Sequence, residues 1–347
     1  MPTLRMKSIC TRTRRCKWCL VYTVIVIYGV IPAVVLLFPG IVSHIVLSYS
    51  VPLYFGDLKH PSSAGLDAAR YVSVATNTGD TLGLWHILPE SVLEEEPVGK
   101  MPISDTEFDS RMASGDPIFI YVHGSGGTRG QFTRVYTYTA LRGQNWHVIA
   151  FDFRGFGDSS GETTEANMAE DTVTVYKWVK KHSASSPVFL WGHSLGTGVA
   201  TQAARLLSSK NGAPDGIVLE GAFSNIHDLL EVALITMPYW PFPFLLGILQ
   251  DALKSSDIQF NSDEHLPHIR CPTLIIHAED DRIVPVELAR KLFKSVVSEP
   301  SVDQPRVTMH VFPAEKGYGH NRLNQAPDLG NVVRQFVGET QKDKRNT

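Results

Sequence analysis

The stretch Trp191-Gly192-His193-Ser194-Leu195-Gly196 joins two segments of different periodicity. Before it, Pro187-Val188-Phe189-Leu190 is apolar and bounded by serines, the pattern of a short buried strand. After it, Val199, Ala200, Ala203, Ala204 and Leu207 recur at helical spacing. A G-x-S-x-G pentapeptide at a strand-to-helix junction predicts a sharp turn. With no Cβ at 192 and 196, that turn packs against neighbouring backbone and lifts the Ser194 hydroxyl out of the sheet. Ordinary Gly/Ser turns carry the same pentapeptide. The flanking strand and helix set this one apart.

Strand and helix patterns alternate on both sides of the junction. Tyr71-Val72-Ser73-Val74 and Leu82 to Leu88, separated by Asn77-Thr78-Gly79-Asp80, predict a hairpin. Residues 117–122, 147–151, 217–219, 273–277 and 307–312 read as further short strands, the last one weak. Helical patterns occupy 128–141, 165–181 and 328–337, whereas the charged 94–115 stretch reads as an exposed loop or short helix. Short buried strands alternating with helices predict an α/β fold with a mostly parallel sheet and helices on both faces.

The amino terminus obeys a different rule. Arg5, Lys7, Arg12, Arg14, Arg15 and Lys17 precede a run, Trp18 to Gly56, without Asp, Glu, Lys or Arg. Its Cys19 to Phe38 part is long enough to span a hydrocarbon core, which takes about 20 apolar residues. A secretory signal has a shorter apolar region, about 7 to 15 residues, and a small-residue cleavage site, so a single transmembrane anchor fits better. Pro32 is a kink point, and Gly40 to Leu47 is an interfacial continuation or the end of a tilted helix. The cations before the anchor, against the cancelling Asp57 and Lys59 after it, predict a cytosolic amino terminus and a translocated domain. The chain divides into a basic start (1–17), a membrane segment (18–47), a linker (48–66), the α/β domain (67–340) and a polar tail (341–347).

Formal net charge is -3, with no basic or acidic tail outside the start, which argues against a nucleic-acid partner. Cys271 is alone in the folded domain, so no disulfide closes there. Cys10, Cys16 and Cys19 are juxtamembrane candidates for palmitoylation. Cys16-x-x-Cys19 lacks a second ligand pair and does not imply zinc.

The chemistry is carried by three regions. First, Pro117 to Val122 runs into His123-Gly124-Ser125-Gly126-Gly127, which lacks a P-loop lysine and the full dinucleotide spacing. A glycine loop placed ahead of the Ser194 turn suits an oxyanion hole, with the Ser125 N–H as one donor and the Leu195 N–H as the other. Asp152 and Asp158, set among turn glycines, are expected to hold loops through backbone hydrogen bonds. Second, the strand at 273–277 ends in Glu279-Asp280-Asp281, at the edge where active groups of open α/β sheets collect. Third, His320 sits on a Gly-flanked loop, Gly317-Tyr318-Gly319-His320.

A serine hydroxyl needs a base to accept its proton, and the base needs a carboxylate to fix its tautomer. Ser194, Asp281 and His320 fall in the serine–acid–histidine order of one large class of such sites. Asp281 is preferred to Asp280 because D-x-x-V-P places it just before a helix. Among rival bases, His193 is expected to point away from the serine, His277 belongs to a strand end, and His310 lies within a strand. Between the strands at 217 and 273, residues 223–268 break the alternation with an aromatic, Pro-rich insertion, Met237 to Leu246. It reads as a cap with apolar walls for an acyl chain; contact of its outer face with a bilayer is the other reading.

Val122-His123-Gly124, Gly126 to Gly130, the Phe151 to Asp158 turn and Trp191 to Gly198 together resemble the membrane-anchored α/β-hydrolase-domain lipases that cleave lysophosphatidylserine and monoacylglycerol. The resemblance covers roughly residues 60–340. His-Gly-Ser-Gly-Gly differs from the His-Gly-Asn-Ala-Gly form of that family, a change expected to alter loop shape more than chemistry. The resemblance implies an α/β-hydrolase fold and a triad at Ser194, Asp281 and His320. It also implies an acyl-glycerol substrate, no cofactor or metal, and an endoplasmic-reticulum membrane protein with a lumenal domain. A thioesterase or peptidase on the same triad, and a non-catalytic membrane scaffold, are the alternatives. Protein partners are not indicated by the sequence.

Overall fold

A computed structural model describes residues 18–47, 56–95, 103–298 and 305–346. The basic start, with Cys10 and Cys16, lies outside the described residues. The described residues start with the apolar helix α1 (Trp18–Leu37), 20 residues long, with an 18-residue stretch of mean hydropathy 2.6. At 1.5 Å per residue it is about 30 Å long, the thickness of a hydrocarbon core. After a break at Phe38-Pro39, α2 (Gly40–Leu47) follows.

The hairpin β1 (Ala69–Ala75) and β2 (Thr81–Ile87) leads to α3 (Asp105–Met112), with Ser104 accepting the Glu107 N–H at its start. Then come β3 (Ile118–Val122), α4 (Phe132–Arg142), β4 (His147–Phe151), α5 (Glu165–His182), β5 (Val188–His193) and α6 (Leu195–Ser208). They are followed by β6 (Gly216–Glu220), α7 (Ile226–Val232), α8 (Pro243–Ser255), β7 (Thr273–Ala278), α9 (Val286–Val297), β8 (Val307–Phe312) and α10 (Leu329–Asn346). The strands form one sheet in the order β1-β2-β4-β3-β5-β6-β7-β8. Among the described residues only the β1–β2 and β2–β4 pairs are antiparallel.

Every residue of β3 to β7 is buried, because both faces of the sheet are covered. Successive side chains alternate between two cores. Ile118, Ile120, Leu190 and Ile217 enter one with α6 and the cap, and Phe119, Tyr121, Phe189 and Trp191 enter the other with α4 and α10. The parallel strands run together, so their carboxyl ends deliver Val122, His193, Glu220 and Ala278 to one rim. The strand order reverses direction there, between β3 and β5, and that crevice is where such sheets bind ligands.

Two details differ from the sequence reading. Residues 128–131 stay in the loop, and α4 starts at Phe132. The polar residues after Val337 are not a separate tail: α10 runs on to Asn346, with Thr340 buried, Lys344 paired to Asp215 at 2.6 Å and Arg306 to Glu339 at 2.8 Å. Leu329, Val333, Phe336 and Val337 anchor the first half of this helix in the core, and the polar half that follows continues it with the buried Thr340 and these ion pairs.

The insertion between β6 and β7 forms a helical cap. It packs on α1 and α2, so that Val35, Val42 and Leu47 join the same apolar core as Leu245 and Leu246.

Candidate active site

Ser194 occupies the turn between β5 and α6 with φ 55° and ψ −125°. That region is costly for a residue with a Cβ and is held only where the surroundings over-determine it. Its N–H bonds the Glu220 carbonyl at 2.9 Å, and its carbonyl accepts the Thr197 N–H at 2.8 Å. The two flanking glycines have a steric reason. A Cβ at Gly192 would lie 2.5 Å from the Gly196 oxygen, and one at Gly196 would overlap the Val122 and His123 carbonyls. A Cβ at Gly124 would sit 3.0 Å from that of Ser194, so the 123–127 loop lies directly against the serine.

His320 Nδ1 lies 2.6 Å from Asp281 Oδ2. The carboxylate only accepts, so Nδ1 carries the proton and Nε2 is left with its lone pair. Asp281 Oδ1 accepts the amides of Ile283 at 2.8 Å and Val284 at 2.9 Å. Burial pushes its carboxyl up, but hydrogen bonds from His277 and His320 outweigh that and hold it well below the usual carboxylate range. The neighbouring Asp280 plays a different part. Its Oδ1 accepts the Gly319 N–H at 2.9 Å and fastens the loop that carries His320.

Ser194, His320, Gly124, Ser125 and His193 line one cavity of about 240 Å³, and His320 is shared with a wider groove bordered by Phe132, Tyr136 and Arg282. Among the described residues no hydrogen bond joins the Ser194 hydroxyl to His320. Contacts of this kind are commonly long before substrate binds. Leu195 is the first residue of α6, where an amide has no carbonyl of its own helix to bond.

His193 departs from expectation. Its ring is 5.0 Å from that of His320, and its Nε2 bonds the His320 carbonyl oxygen at 3.0 Å. It therefore faces the site and braces the His320 backbone. Burial and the adjacent His320 push its pKa down to about 3, so it stays neutral and is no proton acceptor near neutrality. His277 Nε2 bonds the Val284 carbonyl at 2.8 Å, and His310 lies out on β8 near Asp328.

Asp152 holds the neighbouring loop as expected, accepting the Arg129 backbone N–H at 2.6 Å, whereas Asp158 is bonded to the Arg129 guanidinium rather than to a backbone amide. Arg129 Nη1 bridges Asp152 at 2.5 Å and Asp158 at 2.6 Å, and Asp152 Oδ1 lies 3.6 Å from His123 Nε2 at the start of the 123–127 loop.

Two residues escaped the sequence reading. Arg134, buried in α4, donates to the carbonyls of Gly124 at 3.0 Å, Ser125 at 3.3 Å, Gly126 at 2.5 Å and Thr128 at 2.9 Å. Gathering those oxygens on one side leaves the loop's amides to face elsewhere. Glu220 lines the Ser194 cavity, accepts the Trp191 indole N–H at 2.8 Å and is pushed up to about 7 by burial. An arginine in a helix reads as a solvated charge, so no local pattern marked Arg134. Glu220 ends a strand, which was its one visible signal.

The cap corrects one expectation. None of Met237 to Leu246 lines the cavity holding Ser194. A depression within the cap is bordered by Ile226, Leu230, Leu253 and Ile258 together with polar residues such as Gln250, Asp251 and Lys254, while Tyr239 and Phe242 are engaged with Tyr28 of α1.

The profile of the alpha/beta hydrolase family matches residues 119–329. Lysophosphatidylserine lipase ABHD12 of Rattus norvegicus is 36% identical over 343 residues, covering 99% of this chain and 84% of its own length. Protein ABHD12B of Homo sapiens is 40% identical over 265 residues, covering 75% of this chain and 70% of its own. The crystal structure of an alpha-beta hydrolase from Vibrio vulnificus superposes with a TM-score of 0.63 at 16% identity, over 87% of this chain and 93% of that one, a likeness of fold alone. The strained serine turn, the histidine–carboxylate pair beside it and relatives matched along nearly the whole chain lead to one assignment: this protein belongs to the α/β-hydrolase family and is a serine hydrolase.

Proposed function

We propose that the protein hydrolyses acyl-glycerol esters, lysophospholipids such as lysophosphatidylserine or monoacylglycerols, with Ser194 as nucleophile, His320 as base and Asp281 as its orienting acid. The observation that carries this reading is the 2.6 Å bond between His320 Nδ1 and Asp281, in a cavity shared with a serine of positive φ. Ser194 Oγ attacks the ester carbonyl while His320 Nε2 takes its proton. The oxyanion of the tetrahedral intermediate accepts from the N–H groups of Ser125 and Leu195. The C–O bond then breaks, and the glycerol oxygen leaves with the proton from His320. Water, deprotonated by His320, attacks the acyl-enzyme, releases the fatty acid and restores Ser194.

The lipid class is supported by the relatives named as lysophosphatidylserine lipases and by the apolar helix α1. We place α1 across the endoplasmic-reticulum membrane, with the basic start in the cytosol and the hydrolase domain in the lumen, on the charge asymmetry around it.

Purified full-length protein and Ser194→Ala are to be compared for fatty-acid release from lysophospholipids, monoacylglycerols and an acyl thioester. The expected outcome is release from a glycerol ester that Ser194→Ala lacks, with a fluorophosphonate labelling Ser194. Unchanged ester hydrolysis in Ser194→Ala sinks the proposed chemistry, and turnover confined to the thioester sinks the substrate class. Protease protection of the carboxyl terminus in sealed microsomes tests the side of the membrane.

A further inference from the structure

The cap and the membrane helix meet through a defect in the helix. Residues Val26–Val30 of α1 form a π-helical turn, in which the Ile31 N–H bonds the Val26 carbonyl, five residues back. In that register the next donor, for the Ile27 carbonyl, would be the N–H of residue 32. Residue 32 is proline and has none. The hydroxyl of Tyr239, from the cap, takes its place: it donates to the Ile27 oxygen at 3.0 Å. In return Tyr28 donates its hydroxyl to the Pro238 carbonyl at 2.9 Å. Edge-on ring contacts of Tyr28 with Tyr239 at 6.2 Å and Phe242 at 5.3 Å complete the joint.

Ile27 and Tyr28 lie at the middle of α1, so this joint brings the cap alongside the helix rather than against its end. The cap surface around it suits that position. From Ala233 to Gln250 the chain has no Asp, Glu, Lys, Arg or His. Leu234, Ile235, Met237, Trp240, Phe242 and Phe244 are exposed, Ile235 by 79% and Phe244 by 69%. Apolar side chains of α1 are exposed as well, Ile25, Val26 and Ile31 among them. Patches of this extent on a soluble domain mark a partner. The hydroxyls here are satisfied internally, as hydrocarbon demands: besides the two tyrosines, Thr236 bonds the Leu230 and Ala233 carbonyls at 2.5 and 2.7 Å.

We propose that the Leu234–Phe244 segment of the cap is inserted in the hydrocarbon of the bilayer beside α1, latched there by the Tyr239 hydroxyl on the Ile27 carbonyl that Pro32 leaves without a donor. The proposal rests on α1 spanning the membrane. The same arrangement ties the membrane segment to the catalytic loop. Ser125 Oγ donates to the Val46 carbonyl, and the Gly126 N–H bonds the Leu47 carbonyl at 3.1 Å. The bilayer contact of the cap and the backbone of the oxyanion loop are thus joined through α2.

The test uses full-length protein in phosphatidylcholine vesicles whose acyl chains carry bromine, which quenches tryptophan only within the hydrocarbon. Trp240→Phe and Trp18→Phe are compared with the unaltered chain; Trp85, Trp146 and Trp191 are buried in the hydrolase domain, and the half-buried Trp178 on α5 is common to all three proteins. Both substitutions are expected to remove part of the quenched emission, Trp240 reporting the cap and Trp18 the helix. Quenching lost in Trp18→Phe but unchanged in Trp240→Phe overturns the inserted cap while leaving the membrane helix in place. No quenching of either removes the spanning helix, and the proposal with it.

The latch is read by a double-mutant cycle. Tyr239→Phe is expected to lower the thermal midpoint by about 2–4 °C. The loss should shrink in a Pro32→Ala background, where alanine returns an N–H to the helix. Equal losses in both backgrounds overturn the latch.

Discussion

Glu220 offers a sharp test of how the site's electrostatics are built. Its carboxyl is 3% exposed, accepts one hydrogen bond from the Trp191 indole, and is pushed by burial from an ordinary 4.5 to about 7. Because the folded value is raised, the folded state holds the proton more tightly than the unfolded chain. The stability this contributes is fully present below pH 4.5 and is lost as pH rises through 7. The gap between 4.5 and about 7 corresponds to ~3 kcal/mol. Glutamine keeps an oxygen for the Trp191 N–H but cannot ionise. Glu220→Gln is therefore expected to match the parent near pH 4.5 and to exceed it by ~3 kcal/mol above pH 7. For a domain of this size that is roughly 5–10 °C in melting temperature. Asp171, raised to about 6, and Asp152, raised by burial, titrate in both proteins, so their contributions cancel in the difference. Melting curves followed by circular dichroism in detergent micelles between pH 4.5 and 8 provide the measurement. A difference that does not change with pH, or a variant that loses stability relative to the parent as pH rises, would refute the assignment of a proton-holding Glu220.

The same geometry supports four other expectations. Asp281→Asn leaves His320 without a carboxylate to fix its tautomer and should lower kcat by about 10³–10⁴ with a smaller change in KM, measured on the best glycerol ester. Ser125→Ala keeps the backbone donor and should hold kcat within about threefold. Ser125→Pro removes that N–H and should cost about 10²–10³, and equal effects of the two would assign the role to the side chain instead. Gly196→Ala drives a methyl into the Val122 and His123 carbonyls and should cost about 1–3 kcal/mol in chemical denaturation. Arg129→Met strands the buried Asp152 and its neighbour Asp158 and should cost about 3–5 kcal/mol, with Arg129→Lys recovering only part of it.

The chain by itself determined the reaction class and the frame that carries it. Strand runs alternating with helices imply a parallel sheet, since each short buried segment needs cover on both faces. The glycines around Ser194 imply a turn too tight for side chains, and they can be read because their reason is steric and local. The same holds for α1, whose length and apolarity are properties of one continuous segment. Tertiary structure decided whatever depends on residues far apart in sequence. That His193 faces His320 yet stays neutral, and that Arg134 gathers the carbonyls of the loop after β3, follow from packing across a rim where four strands end. That α10 continues to Asn346 was hidden because its last turns meet partners distant in sequence, as Lys344 meets Asp215, 129 residues away. The aromatic cap was legible as apolar, but not as turned toward α1 rather than toward Ser194. A hydrophobic surface is non-directional, and the paired hydroxyl bonds, Tyr239 to the Ile27 carbonyl and Tyr28 to the Pro238 carbonyl, show which side it faces.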